Sequence, residues 1–383
     1  MAKKDMSFSE KLLAKSEKYK MNLDTEYLDS GSVIMNMVFG KGLPMSKMIE
    51  IYSESGYGKS TIVLSICKNL CKQGHKVLYF DAEGSITELI ESMGFYKDNL
   101  VWSPENQDGC FIPIQTSYFE DIEEYLEDIV PNYDEKGNPI DSEVRLVVID
   151  SVAALCPKEY RGDYGEKLSI ASAKPGIVAK LMTAFLRKFS GYKTAYNMSF
   201  LFINQMRDNL SMSFAAKYDD NVPGGRALKY FMDVIIKLNS RGLHKEKLQT
   251  GSGEWQEVVT EREIDVKAVK NKLTNGGIGL PLQVRFGLGI SNIAAMPYLL
   301  PRKYIETDDG NETCMLVNDK GSWYTLTFNI NGETHRVKCN GMPQLKEAIR
   351  LNYRYIYPEI KEDDFNILQD KMQDEEEISN DSE

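Results

Sequence analysis

The sequence predicts an α/β chain: a mostly parallel central sheet flanked by helices, with an N-terminal helix before it and a small C-terminal α/β domain after it. Three observations predict this. Short apolar runs recur at Met48-Ile49-Glu50-Ile51-Tyr52, Val77-Leu78-Tyr79-Phe80, Leu146-Val147-Val148-Ile149 and Phe200-Leu201-Phe202-Ile203. Each is apolar on both faces and rich in β-branched or aromatic residues, as strands inside a helix-covered parallel sheet must be. Helical patterns fall between them, near 59–73, 86–94, 118–129 and 173–190, and such alternation points to a doubly wound sheet. Finally, a glycine-bearing loop follows the first run and opens a helix.

Taken in order, residues 7–21 read as an amphipathic helix carrying Phe8, Leu12, Leu13 and Tyr19 among lysines. Residues 22–45 are turn-rich and lead through Gly42-Leu43-Pro44 into the first strand. Runs at 229–238, 263–270 and 281–287 extend the sheet. The expected divisions are 1–35 (N-terminal helix and polymerisation segment), 36–288 (core), 289–360 (small domain) and 361–383 (acidic disordered tail).

At 383 residues and 42% apolar content, the chain can bury a full core and a smaller domain. No long apolar run suggests a membrane span. The start, Met-Ala-Lys-Lys-Asp, lacks the apolar core of a signal peptide, so a cytoplasmic setting is expected. Cysteines at 67, 71, 110, 156, 314 and 339, with only three histidines, read as free thiols rather than a zinc site. The net charge of −11 argues at first against nucleic acid. Residues 361–383, however, hold ten acidic and two basic residues, leaving about −3 for the rest. That tail reads as a solvated end and, compatibly, as a mobile polyanion competing with DNA for basic surface.

The segment Ser53-Glu54-Ser55-Gly56-Tyr57-Gly58-Lys59-Ser60, continuing to Thr61, has the spacing of a phosphate-binding loop. Gly56 and Gly58 permit the tight turn that aims N–H groups at phosphate oxygens. Lys59 is placed for the β- and γ-phosphates of ATP, and Ser60 for Mg²⁺. Ser53 stands where the usual motif has glycine. Asp150 ends the third apolar run and suits a Mg²⁺ ligand, acting through water, or a helix N-cap. Glu83 follows the second run and could polarise water, with Asp81 its local rival. Gln205 ends the fourth run, where an amide could sense the γ-phosphate. Lys270 and Lys272, two apart on a strand, share a face and by themselves read as a solvated edge.

In this order, these residues resemble the RecA family of recombinases. The resemblance spans roughly residues 8–360: Phe80-Asp81-Ala82-Glu83, Asp150-Ser151-Val152-Ala153-Ala154-Leu155, Phe202-Ile203-Asn204-Gln205-Met206-Arg207, Gly224-Gly225-Arg226-Ala227-Leu228-Lys229, Val269-Lys270-Asn271-Lys272 and Gly321-Ser322-Trp323-Tyr324. It implies a RecA-like ATPase core whose subunits polymerise head to tail on single-stranded DNA, pair it with homologous double-stranded DNA and exchange strands. It implies ATP and Mg²⁺ at each interface. Glu83, Lys59 and Gln205 would be catalytic in one subunit, with Lys270 and Lys272 reaching the ATP of its neighbour. Two DNA-binding loops would span about 157–177 and 206–223. Lys174, Gly176, Thr183, Arg187, Arg207, Leu210, Ser211, Phe214, Gly224, Gly225 and Arg226 are the implied DNA contacts. Single-strand-binding and loader proteins are expected partners, in a bacterial cytoplasm that could be that of a phage-infected host.

Departures point to a divergent bacteriophage-type member, broadly like UvsX. Lys174-Pro175 replaces a methionine wedge in the first loop. Thr87 and Ile90 stand near the place of an adenine-packing tyrosine. The second loop carries Asp208, Asp219 and Asp220. Two rival readings are a hexameric helicase on the same fold, which would need a ring and usually an arginine finger, and an ATP-regulated DNA-binding scaffold, against which Glu83 argues.

Overall fold

The structure is a computed structural model that describes residues 25–161, 176–206, 225–249, 255–274 and 279–356. Its centre is a nine-stranded sheet. In chain order its first strands are β3 (Met48–Ser53), β4 (Lys76–Asp81), β5 (Phe111–Gln115), β6 (Val144–Asp150) and β7 (Ser199–Gln205). They are followed by β8 (Val234–Gln249), β9 (Trp255–Asn271), β10 (Gly279–Arg285) and β11 (Gly289–Ser291). The spatial order is β11-β10-β9-β8-β3-β7-β6-β4-β5. Pairing is parallel from β8 through β5 and antiparallel from β8 out to β11. A short ribbon of β1 (Tyr27–Leu28) and β2 (Leu43–Pro44) precedes it.

Both faces of the sheet are buried, and alternate residues of each strand enter opposite cores. On β6, Leu146 and Val148 face one cluster, and Val147 and Ile149 the other. The first cluster lies under α1 (Val33–Phe39) and α2 (Lys59–Lys72). The second lies under α4 (Phe119–Ile129), α5 (Ile177–Ala195) and α6 (Gly225–Phe231). A short α3 (Thr87–Ser92) follows β4. Phe185 and Phe189 of α5 pack with Phe200 of β7, ring centroids 4.5–6.5 Å apart.

Beyond β11, Met296–Leu299 forms α7, and Tyr304–Glu306 (β12) pairs with Glu312–Cys314 (β13). A three-stranded antiparallel sheet follows, of Leu316–Asn318 (β14), Trp323–Ile330 (β15) and Glu333–Asn340 (β16). Helices Gly341–Leu351 (α8) and Tyr353–Ile356 (α9) complete the described chain. Leu326, Phe328, Leu345, Ile349 and Tyr353 join the same core cluster as α1 and α2.

Three elements differ from the sequence reading. Val33–Phe39 is a helix inside the turn-rich stretch, capped by Ser32, whose Oγ accepts the Met35 N–H at 3.3 Å. Phe111–Gln115 is a strand that contains Pro113 and is tolerated because it forms the sheet edge. Residues 229–231 are helical, not the start of a strand: Leu228 and Met232, four apart, are both buried, which is the helical period. The amphipathic helix read at 7–21 and the acidic tail lie outside the described residues.

Candidate active site

The strand connections set the location. β4 is followed by β5 on one side and by β6 on the other, so the chain reverses direction across the sheet here. A crevice forms at the C-terminal ends of the strands at such a switch point. Ser53, Asp81, Asp150 and Gln205 are all at those ends: Ser53 is level with Gln205, and Asp81 with Asp150.

The phosphate loop leaves β3 at Ser53 and enters α2 at Lys59. Gly56 and Gly58 have φ of 75° and 80°, a region that favours glycine. A Cβ on Gly58 would also stand 2.8 Å from Val284 Cγ1, so the position requires glycine for space as well. α2 has no side-chain cap. Its first-turn N–H groups therefore lack intrahelical partners and carry the positive end of the helix dipole. Ser53, by contrast, stays in extended strand and has no need of glycine. It is fully buried, and its Oγ donates to Glu54 O at 2.8 Å.

Lys59 is folded back onto this loop. Its Nζ donates to Glu54 O at 2.8 Å, Ser53 Oγ at 3.2 Å and Ser53 O at 3.4 Å. Burial pulls its ammonium below the usual lysine value, with Asp150 and Glu83 opposing the shift. Tyr57 lies beneath the guanidinium of Arg262, 4.9 Å from its ring centre, and its hydroxyl donates to Glu54 at 2.8 Å. Thr61 is buried in the first turn of α2.

Asp150 Oδ2 accepts hydrogen bonds from Ser60 Oγ at 2.7 Å and Tyr79 OH at 2.6 Å. Its carboxylate is therefore turned toward the phosphate loop rather than capping the short helix that follows. Burial raises the Asp150 carboxyl, and those two hydrogen bonds counter the rise. The Tyr79 hydroxyl is pushed well above the usual tyrosine value, first by its own burial. A hydroxyl and a carboxylate in contact at the mouth of a phosphate loop form a hard-oxygen set, which suits Mg²⁺ held with a nucleotide. The residues thus fit the Mg²⁺–ATP reading. Among the described residues no all-protein cluster of metal-binding side chains occurs.

Glu83 is exposed beside the crevice. Its Oε1 accepts Gln205 Nε2 at 2.9 Å and the Ser151 hydroxyl. Asp81 is nearly buried and accepts the N–H groups of Gly84 at 2.9 Å and Ile86 at 3.2 Å. It shapes the turn that presents Glu83. A cleft of about 420 Å³ opens next to Glu83, lined by Gln115, Thr116, Tyr118 and Asp121 among others. Sequence reasoning missed Tyr79 and Ser151. Both are polar groups whose partners are known only once β4 and β6 are in register.

Lys270 and Lys272 are not in this crevice. They lie at the opposite end of the sheet, where Lys270 pairs with Ile235 and Lys272 N–H donates to Asp233 O at 3.0 Å. Of the implied DNA contacts, Gly176 (φ 79°) precedes α5, while Thr183 and Arg187 share one outward face of that helix. Gly225 and Arg226 open α6. Lys174, Arg207, Leu210, Ser211, Phe214 and Gly224 lie outside the described residues.

Comparison with known proteins gives the following matches. The family model described as RecA N-terminal domain matches residues 1–115 and 134–291. The protein named Protein RecA in Staphylococcus carnosus is 31% identical over 348 residues, 90% of this chain and 81% of that protein. Its namesake in Mesomycoplasma hyopneumoniae is 30% identical over 357 residues, covering 92% and 89%. No helix among the described residues is long and apolar enough to cross a membrane.

Proposed function

The chain belongs to the RecA family and is a DNA-dependent ATPase of homologous recombination that filaments on DNA and exchanges strands, and on that premise we propose that each ATP is held by one protomer and completed by the next. The observation that carries this is the separation of the two candidate halves along one sheet. Lys272 is bonded to Asp233, which is bonded to Met48 at the start of β3. The phosphate loop begins five residues on, at Ser53, about 17 Å away at strand rise. The Lys272 side chain does not span that distance, and Lys270, level with Glu50 and three strand positions short of Ser53, has its ammonium tied to Lys229 O. Lysines at one end of a protomer therefore serve a phosphate loop only on a neighbour. A head-to-tail contact of that kind builds an open helix when it does not close.

Within one protomer, the N–H groups of the loop and Lys59 bind the β- and γ-phosphates. Ser60 and Asp150 would hold Mg²⁺, the Asp through water. When bound there, Mg²⁺ and ATP would supply the γ-phosphoryl group and the metal charge that offsets its oxygens. Glu83 orients and polarises the attacking water. Gln205 donates to Glu83 here, and a γ-phosphate oxygen would compete for the same amide. Winning that competition frees Glu83 and moves the strand tip that leads into the second loop. Lys270 and Lys272 of the adjoining protomer stabilise the transferring group, so turnover depends on assembly.

DNA contacts from Thr183, Arg187 and the two loops would hold the phosphate backbone without reading sequence. On this reading residues 1–35 join protomers and 289–360 form the small accessory domain. Single-strand-binding and loader proteins act on the filament, in a bacterial cytoplasm, that of a phage-infected cell included. The test is an ATP-dependent strand-exchange assay, with turnover measured alongside. Single-stranded DNA is expected to raise ATP turnover many-fold and to yield exchanged product. Equal turnover with and without DNA would overturn the coupling.

A further inference from the structure

At the lysine end of the sheet a single carboxylate organises the surroundings. Asp233 sits between α6 and β8, its side chain 12% exposed. Its Oδ1 accepts Lys272 Nζ at 2.8 Å. Its Oδ2 accepts Lys193 Nζ and the Met48 N–H, both at 3.0 Å. Its backbone is tied as well, N–H to Met48 O at 2.7 Å and C=O to Lys272 N–H at 3.0 Å. The carboxylate is thus fixed by three hydrogen bonds and the residue's backbone by two more. Burial works to raise its carboxyl, but the hydrogen bonds from Lys272, Met48 and Lys193 hold it below the usual range.

The surplus charge is positive. Lys193 balances Asp233 and the buried Glu50 acts on Lys270, leaving Lys272 in surplus, with Lys47 close enough for its ammonium to be lowered by burial and by Lys193. Lys270 Nζ is separately anchored to Lys229 O at 2.5 Å. Lys272 is the more exposed member of its pair, at 48%. An ammonium has three N–H donors, and Asp233 engages one.

We propose that Asp233 is the positioning residue of the trans site: with Lys193 as its counter-charge, it holds the Lys272 ammonium at the protomer surface with the remaining N–H groups aimed at a neighbour's phosphate oxygens. This rests on the trans reading of Lys272 given above. The effect is pre-organisation. A long lysine chain otherwise samples many rotamers, and a small misplacement of a charge at a reacting phosphoryl group costs much of its benefit. Asp233 itself touches no nucleotide.

The test uses the full chain with single-stranded DNA and ATP. Asp233→Asn keeps an oxygen for the Met48 N–H and removes the charge. It is expected to lower kcat about tenfold while KM for ATP stays within about twofold, with partial recovery in Asp233→Glu. The deciding step is mixing. Lys59→Ala protomers have no working phosphate loop but an intact Asp233–Lys272 pair. Added in excess, they are expected to restore turnover per Asp233→Asn protomer, because the repaired lysine arrives from the neighbour. A folding defect inside the variant is not repaired that way. Wild-type kcat in Asp233→Asn, or a loss that mixing leaves unchanged, overturns the proposal. The same mixture with Lys272→Met protomers is the control. Failure of rescue there overturns the trans reading itself, whereas rescue there without rescue of Asp233→Asn removes only the role of Asp233.

Discussion

At the C-terminal ends of β3, β4, β6 and β7 the side chains are acids, hydroxyls and an amide: Asp150, Glu83, Ser60, Ser151 and Gln205. Lys59 there is turned onto its own loop. At the other end of the same sheet one aspartate is surrounded by Lys47, Lys193, Lys270 and Lys272. The first end has N–H groups, Lys59 and metal-type ligands for a triphosphate, but not the lysine pair. The second has cations and no phosphate loop. Each end has what the other lacks, and the rigid sheet keeps them apart. On the trans reading proposed above, the contrast predicts that an isolated protomer is a poor ATPase without having lost any catalytic group.

The comparison breaks most sharply at Lys59. Lys59→Ala is expected to abolish turnover, by more than about a hundredfold, and to weaken nucleotide binding, as read by a fluorescent ATP analogue. Lys270→Ala is expected to cut DNA-stimulated turnover by a similar order but to leave nucleotide binding near wild type. If both variants lost binding alike, the two ends would not be separate halves. Gln205→Ala is expected to have a smaller effect on turnover and a larger one on coupling. ATP should then strengthen DNA binding less than it does in the wild type, measured by fluorescence anisotropy with and without nucleotide.

Two further outcomes concern stability and are smaller. Tyr79→Phe removes a hydroxyl that donates to a buried carboxylate, with an expected loss of about 1–2 kcal/mol, or a few degrees in Tm. At the lysine end, the Asp233 carboxyl is lowered from its unfolded value of 3.8. Its contribution is therefore present above that value and lost as pH falls through the lower folded value. The Tm gap between wild type and Asp233→Asn should narrow from about pH 6 to about pH 3. A gap that stays constant would mean the carboxylate charge contributes nothing there.

Much of the acidic end is legible in the sequence because each component is local. A phosphate loop needs glycines at fixed spacing, and a strand buried on both faces announces where its last residue will lie. Glu83, Asp150 and Gln205 follow from that. What joins them is not local. Tyr79 reaches Asp150, and Ser151 reaches Glu83, only through the parallel register of β4 and β6. The lysine end is harder still. Asp233 sits at a helix–strand junction amid residues that read as one strand, and its partners come from α5, from the start of β3 and from beyond β9. The edge strand at Phe111–Gln115 was obscured by Pro113, and the helix at Val33–Phe39 by its turn-rich neighbours.

The tips of β3 and β7 are joined beyond their ladder: Met206 N–H donates to Ser53 O at 2.9 Å. One of these residues begins the phosphate loop, and the other begins the segment implied to hold DNA. If that contact transmits strain, it does so in both directions, since binding free energies are reciprocal. A DNA strand that tightens ATP tenfold must itself be held tenfold more tightly by the ATP-bound protein, a shared coupling of about 1.4 kcal/mol. Titrating either ligand alone against the other then measures the same quantity twice, and disagreement between the two titrations would locate the coupling in assembly rather than in the protomer.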